Sequence, residues 1–562
     1  RLCERGLGME EEIEKRGKEG KNKFRPRSLS NAVWGLAKCS ALMGSCSFQE
    51  ETLQPFLLKL AENLSSHPWP LSGMNGREKT MTLWAYASTF PKAPSTLPSP
   101  SFSPSTVLFS SSTPPNHDPA LIHGLFSAAA STLSAPNCTI RDLSTLAWSF
   151  ATVSHPASCA PSLSFLSAAA AELPSSLPSP VHPRDLSTLC WSVAHLSTRS
   201  RRLEEPLLSC LSVSSAMITS SALPLSSLHT SDIVQLAAAY GVGRRDDRDA
   251  LRMIYQVATG RMAEFRCWEV SHLTWVCARL YLCPSGEDVE DGADFEAFVD
   301  KAVEACTDWR GRGGPGSGLE GDEQAAANMA WSLCVLKRTD EASVRLVAAA
   351  LRGAEAMGSI KPEHAHQLWQ VYSLMKDSSP EVSSAISPSF ASKLEGAWTN
   401  EKGRLKKSSE RHSEMSKTLT LMGVSHVNEY KEDIDMAIVL TGSGGWSRPR
   451  SALPGSSGPP SASTRVALEF DGPDHYTTGP SPRALGHTHL KYRYLSLKGW
   501  SVVRVPFFVW DKIPFWASME RQRYLQRLLS TDEEIRFSEK DVSVYRSPKE
   551  SVWGGKRSSR YD

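Results

Sequence analysis

RDLSTLAWSFATVS at residues 141–154 and RDLSTLCWSVAHLS at residues 184–197 agree almost letter for letter at a separation of 43 residues. A chain that repeats itself at that period is read as an array of similar units. An acid or serine ahead of a tryptophan in an apolar run finds more copies: SLSNAVWGLAK (28–38), EKTMTLWAYA (78–87), EVSHLTWVCARL (269–280), AAANMAWSLCVL (325–336) and EHAHQLWQVYSL (363–374). One further copy, DIVQLAAAYGV (232–242), places Ala238 where the others carry Trp.

Within each copy the apolar residues recur three and four apart, as Leu143, Leu146, Ala147 and Phe150 do. That spacing predicts an amphipathic helix with Trp beside its buried stripe. Asp142, Asp185 and Asp232 then fall at helix starts, where a carboxylate can satisfy free N–H groups. Successive Trp positions lie 37 to 64 residues apart, which leaves room for a second helix and a variable loop in each unit. The expected architecture is an all-α solenoid whose units bury their stripes against one another. The tryptophans share a face with leucines, so packing is preferred to base stacking as their role. The concave surface of a solenoid suits single-stranded RNA or an extended peptide, and the repeat alone does not choose between them.

The 562 residues leave room for several domains, and 22% charged with 40% hydrophobic residues is ordinary for soluble globular protein. The net charge of +2 rules out a bulk polycation, so any nucleic-acid surface must come from local clustering. Twelve cysteines, the last at Cys334, form no CxxC pair, which argues for buried thiols rather than a zinc knuckle or disulfide framework. No uninterrupted apolar run is long enough to span a bilayer. The segment MEEEIEKRGKEGKNKFRPR is too acidic at its front for a transit peptide. Residues 1–25 are expected to be a disordered charged segment and 26–376 the repeat region. Within the latter, Ser/Pro/Gly-rich stretches at about 91–119, 155–182 and 311–323 are expected to be disordered loops, since their composition sustains no packed core.

Past a helical connector at 377–428 the period changes. DIDMAIVL (433–440), VALEF (466–470) and SVVRVPFF (501–508) read as strands, HLKYRYLSLK as a helix closed by Gly499, and WASMERQRYLQRLL (516–529) as a last amphipathic helix. A strand, strand, helix, strand order predicts a small α/β domain over 429–535 with a partly parallel sheet. A Gly/Ser/Pro insertion at 441–463 is expected to be disordered, and 536–562 to be a tail. Residues 487–527 hold eight Lys or Arg against two acids, Asp511 and Glu520. Such a cluster suits phosphate contacts, although two solvated helix faces would explain part of it. Arg504 lies within a strand and needs a partner. Trp500 and Trp510 adjoin the apolar strand and are expected in the core.

EFDGPDHY (469–476), LKYRYLSLKGWSVVRVPFFVWD (490–511) and the upstream EDIDMAI (432–438), taken in order, resemble the RAP domain, which ends organellar RNA-binding proteins built on helical repeats. The WSLCVL-like helices are similar to the repeats of FAST-kinase-domain and octotricopeptide proteins. The resemblance implies a restriction-endonuclease-like fold. Its Mg²⁺-binding acids would be Asp435 and Glu469, with Asp471 standing where that fold expects lysine and Lys491 as the substitute from the following helix. Two carboxylates can hold a hard cation and acidify its water. The same acids can instead be structural, with Asp471-Gly472-Pro473 a simple turn, and the missing lysine favours a binding domain that needs no cofactor.

The resemblance thus implies an RNA-binding protein of the mitochondrial matrix, or alternatively of a plastid, in RNA processing, mRNA stability or rRNA maturation. Partners would be organellar mRNA or rRNA and other RNA-processing proteins, as in a ribonucleoprotein granule, with no membrane. Lys491, Arg493, Lys498, His475, Arg521 and Arg523 are the candidate RNA contacts. The rivals are a Mg²⁺-dependent endoribonuclease using Asp435, Glu469, Asp471 and Lys491, and a peptide-binding scaffold. The glycine loop, strand lysine and His-Arg-Asp motif of a kinase are missing.

Overall fold

The computed structural model describes residues 26–43, 49–66, 69–90, 119–133, 138–153, 164–168, 170, 182–198, 200–283, 289–312, 322–402, 409–430, 433–441, 445–446 and 465–530. The segment 1–25, the tail 536–562 and most of the expected loops lie outside the described residues. The chain divides into two compact units, one reaching His364 and one beginning at Ala365, Thr478–Ser481 aside.

The first unit is helical: α1 (Pro26–Met43), α2 (Gln54–Ser66), α3 (Gly76–Thr89), α4 (Pro119–Ser131), α5 (Ile140–Thr152), α6 (Pro183–Ser197), α7 (Glu204–Thr219), α8 (Thr230–Gly243), α9 (Arg248–Gly260), α10 (Cys267–Leu280), α11 (Val289–Arg312), α12 (Glu323–Val335) and α13 (Glu341–Met357). The repeated-motif helices α1, α3, α5, α6, α8, α10 and α12 each pack on the next, forming one continuous layer. The helices between them form the second, with α2 on α4, α7 on α9, α9 on α11 and α11 on α13. Buried tyrosines tie the layers together. The Tyr86 hydroxyl of α3 donates to the Leu57 carbonyl of α2 at 2.8 Å, and that of Tyr255 on α9 to the Leu273 carbonyl of α10 at 2.7 Å.

The helix starts differ in detail from expectation. Asp142 is not the cap itself: Thr139 is, and Asp142 one turn in accepts the Thr139 backbone N–H at 3.2 Å, completing a capping box. In α6 and α8 the caps are His182 and His229, whose ring nitrogens accept backbone N–H groups, while Asp185 and Asp232 sit in the first turn. There their charge still favours the positive end of the helix dipole. The expected loop at 155–182 also contains a short helical piece, 164–168, whose Phe165 and Leu166 are buried. Phe165 reaches the Phe150 ring at 6.2 Å, so apolar contact overrides the Ser/Pro composition there.

The tryptophans divide into two sets. Trp331 is 1% exposed, and Trp275 and Trp369 are also buried, as a packing role requires. Trp34 is 39% exposed, and Trp84, Trp148 and Trp191 are half-buried.

The second unit opens with most of α14 (Pro362–Met375), then α15 (Pro388–Lys402) and α16 (Glu410–Leu421). Strands β1 (Val427–Tyr430), β2 (Ile434–Thr441), β3 (Gly445–Trp446) and β4 (Arg465–Asp471) follow, then α17 (Gly486–Leu497), β5 (Ser501–Pro506) and α18 (Ser518–Leu529). The sheet runs β1-β2-β4-β5, antiparallel except for the parallel pair β4 and β5 joined through α17, while β3 pairs with β2 inside the expected insertion. The domain also starts before residue 429. Met415 and Leu419 of α16, expected as connector, pack with Met436, Ile438, Val466, Leu468 and Val505 on one face of the sheet, together with Leu525 and Leu529 of α18. Ala437, Ala467, Leu495 and Trp500 form the core of the opposite face beneath α17. Gly499 ends α17 at φ +81°, and the N–H of Trp500 returns to the Leu495 carbonyl at 3.0 Å. That is the Schellman closure, which favours glycine at this left-handed position.

Candidate functional site

Side chains alternate along a strand, so Ala467, Glu469 and Asp471 share the face of β4 covered by α17. The register sets Glu469 opposite Arg504 of β5, while Asp435 lies two residues before Ala437 on β2. Toward the end of β4 this face therefore changes from apolar to charged.

Glu469 is 2% exposed. One carboxylate oxygen accepts the Lys491 ammonium at 2.5 Å, and the other accepts the Asp435 backbone N–H at 3.4 Å. The Asp435 carboxylate in turn accepts the Phe470 N–H at 2.8 Å, and Asp433 stands 4.0 Å from Lys491. Burial pushes the Glu469 carboxyl up to about 7, against the pull of Lys491 and with the repulsion of Asp435. Burial alone would lower the Lys491 ammonium, but Glu469 and Asp435 outweigh it and hold that ammonium above its ordinary value.

Two residues further on, Asp471 has a separate set of partners. It accepts from Arg504 Nε at 3.0 Å, from the Tyr476 hydroxyl at 3.1 Å and from the Tyr492 hydroxyl. The Arg504 guanidinium lies 4.5 Å from the Tyr492 ring centre and 5.8 Å from that of Tyr476. This is the partner that a strand arginine requires. His475 is 3.2 Å from the Thr488 hydroxyl and 3.9 Å from Asp471, and burial lowers its pKa.

The fold thus gathers Asp435, Glu469 and Lys491 into one cluster and seats Asp471 in an adjoining Tyr-Arg cage. Among the described residues no group of three or more His, Cys, Asp or Glu side chains is placed to hold a metal ion. The Glu469 oxygens already serve Lys491 and a backbone N–H, and the ammonium supplies the positive charge that a cation would bring. As arranged, these residues do not fit Mg²⁺.

Of the basic candidates, Arg521 is buried, pairs with Glu414 at 2.9 Å and lies 4.9 Å from the Trp510 ring centre. Lys491 is likewise engaged inside the domain. Arg523 pairs with Glu520 at 3.2 Å. Arg493 is half-buried, and Lys498 is exposed with its ammonium 5.5 Å from the Tyr494 ring centre. Trp500 and Trp510 are both in the core. Sequence reading passed over Tyr476 and Tyr492, which complete the Asp471 cage. It also passed over Phe515 and Trp516, an exposed aromatic pair after the exposed Lys512. The only signal for the tyrosines is that each adjoins a residue already singled out, His475 and Lys491.

A layered helical-repeat unit in the same chain as a small α/β domain with a charged strand-end cluster defines the class. Residues 468–528 match the model of the RAP domain. The C-terminal unit thus carries a match to the RAP domain over these residues. The chain is also similar to a RAP domain-containing protein, chloroplastic, of Oryza sativa subsp. japonica, with 21% identity over 332 residues that cover 55% of this chain and 47% of the rice protein. The chain therefore spans about half the length of the curated relative it matches. No described helix is long and apolar enough to cross a membrane.

Proposed function

We propose that this protein is an organellar RNA-binding protein acting in RNA processing, mRNA stability or rRNA maturation. In this reading the helical layers select the RNA, and the RAP domain contacts backbone or a 5′ end. The observation that carries it is the RAP match at 468–528 in a chain whose first unit is a layered helical repeat. RAP domains are associated with RNA binding, and solenoids present extended surfaces to single strands. The name of the rice relative weighs toward the plastid, and the family resemblance toward the mitochondrial matrix. Antibody detection of the native protein in purified organelles decides between them.

The test incubates the full chain with labelled total organellar RNA, with and without Mg²⁺. Salt-sensitive retention without cleavage supports the proposal, and no retention at any salt overturns it in favour of a peptide scaffold. Cleavage that needs Mg²⁺ and is lost in the Asp435→Ala/Glu469→Ala variant would instead establish an endoribonuclease, for which Lys491 would have to release Glu469.

A further inference from the structure

Aligning the motif helices on Trp exposes a second regularity. Seven residues ahead of Trp, the first four copies carry Arg27, Arg77, Arg141 and Arg184. Two helical turns separate these positions, so each arginine lies on the same face as its tryptophan, roughly 10 Å along the axis. All four arginines are exposed, and Arg184 keeps 72% of its side chain open. The four tryptophans that follow them, Trp34, Trp84, Trp148 and Trp191, are the exposed and half-buried ones. In these four helices no Asp or Glu occupies the positions seven and three before Trp or four after it, and Lys38 adds a cation at the last of these.

The remaining copies differ at both positions. Seven before the Trp position stand Ser231, Trp268, Gln324 and Pro362, and the position itself holds Ala238 or a buried tryptophan. Because α1, α3, α5 and α6 pack in succession, their arginines form one row and their tryptophans a parallel row. The rungs are spaced by helix packing, about 8–10 Å. Continuity between the first two rungs is visible directly: the Lys38 ammonium lies 5.9 Å from the Trp34 ring centre and 4.4 Å from that of Trp84 on the next helix. Arg184 stands 3.9 Å from the buried carboxylate of Asp232 while its own side chain stays open, and Asp185 lies within electrostatic reach of both Arg141 and Arg184.

We propose that the α1-α3-α5-α6 face is a binding track for single-stranded RNA, with the arginine row on phosphates and the tryptophan row against bases. This deepens the RNA-binding reading above and rests on it. A cationic row beside sequence-tolerant aromatic faces is the combination that holds a single strand without base-edge readout. Selection along the array then falls to the later repeats of the helical layers, while this half supplies grip.

The test titrates full-length protein into a labelled random-sequence single-stranded RNA over a range of salt concentrations. The variants are Arg27→Gln/Arg77→Gln/Arg141→Gln/Arg184→Gln, Trp148→Leu and Trp148→Phe. Losing four phosphate contacts is expected to reduce the log–log salt slope by about three and to weaken binding on the order of a hundredfold at physiological salt. Trp148→Leu is expected to weaken binding several-fold and Trp148→Phe to restore most of it, because phenylalanine keeps a stacking face. Circular dichroism checks that the exposed Arg→Gln changes leave the fold in place. If wild type binds and the quadruple variant keeps both slope and affinity, the track is overturned while RNA binding stands. If wild type binds no RNA, both fall; an acidic peptide bound through the same arginines as tightly as RNA would overturn the track as an RNA site.

Discussion

Glu469 and Asp471 are two residues apart on one strand and have opposite surroundings. Glu469 is buried beside a second carboxylate, and its proton is retained in the folded state to about pH 7, against an ordinary value of 4.5. A group whose folded pKa is raised adds stability that is full below its unfolded pKa and is lost as pH rises through its folded one. The melting temperature of wild type relative to Glu469→Gln is therefore expected to fall between about pH 4.5 and 7 and then level off; a flat difference across that window would contradict the assignment. Asp471 is instead held by Arg504, Tyr476 and Tyr492, so Asp471→Ala strands an arginine and two hydroxyls and is expected to cost about 3–5 kcal/mol in denaturant unfolding. The acid-x-acid spacing already placed both side chains on one strand face. Which acid Lys491 would choose was not legible, because the approach of α17 is set by Leu495 and Trp500 packing at its far end.

The motif helices share a sequence template but not one environment. Trp331 fills a fully enclosed site in α12, so Trp331→Ala is expected to cost about 3–5 kcal/mol, whereas the same change at half-buried Trp148 should cost clearly less in parallel thermal melts. At the start of α5, Thr139→Ala removes the reciprocal cap with Asp142 and is expected to cost about 1 kcal/mol, measured the same way. Periodicity located these helices because an apolar stripe three and four apart has one common explanation. It did not reveal which tryptophans stay open, since that depends on the neighbouring helix rather than on the copy itself. The arginine seven positions earlier was the available signal, and it emerges only when the copies are aligned on Trp. Likewise α16 reads as a connector in sequence, and only the sheet face that receives Met415 and Leu419 makes it part of the α/β core.

At the scale of the molecule, two units carry separate cores: a stack of helices whose contacts are mostly between neighbours, and a sheet enclosed on its faces by α16, α17 and α18. Cores of this kind need not melt together, and a chain with two of them departs from single-step unfolding. Urea unfolding followed by far-ultraviolet circular dichroism is therefore expected to show two transitions. Leu468→Ala, which opens a hole in the sheet core, should move one of them by about 2–5 kcal/mol and leave the other unchanged, while Trp331→Ala should do the converse. A single transition shifted by both variants would show that the cores unfold as one. Two independent transitions would also let binding be divided by measurement: RNA added during the titration should stabilise whichever unit holds it, and the arginine track places that stabilisation on the helical transition.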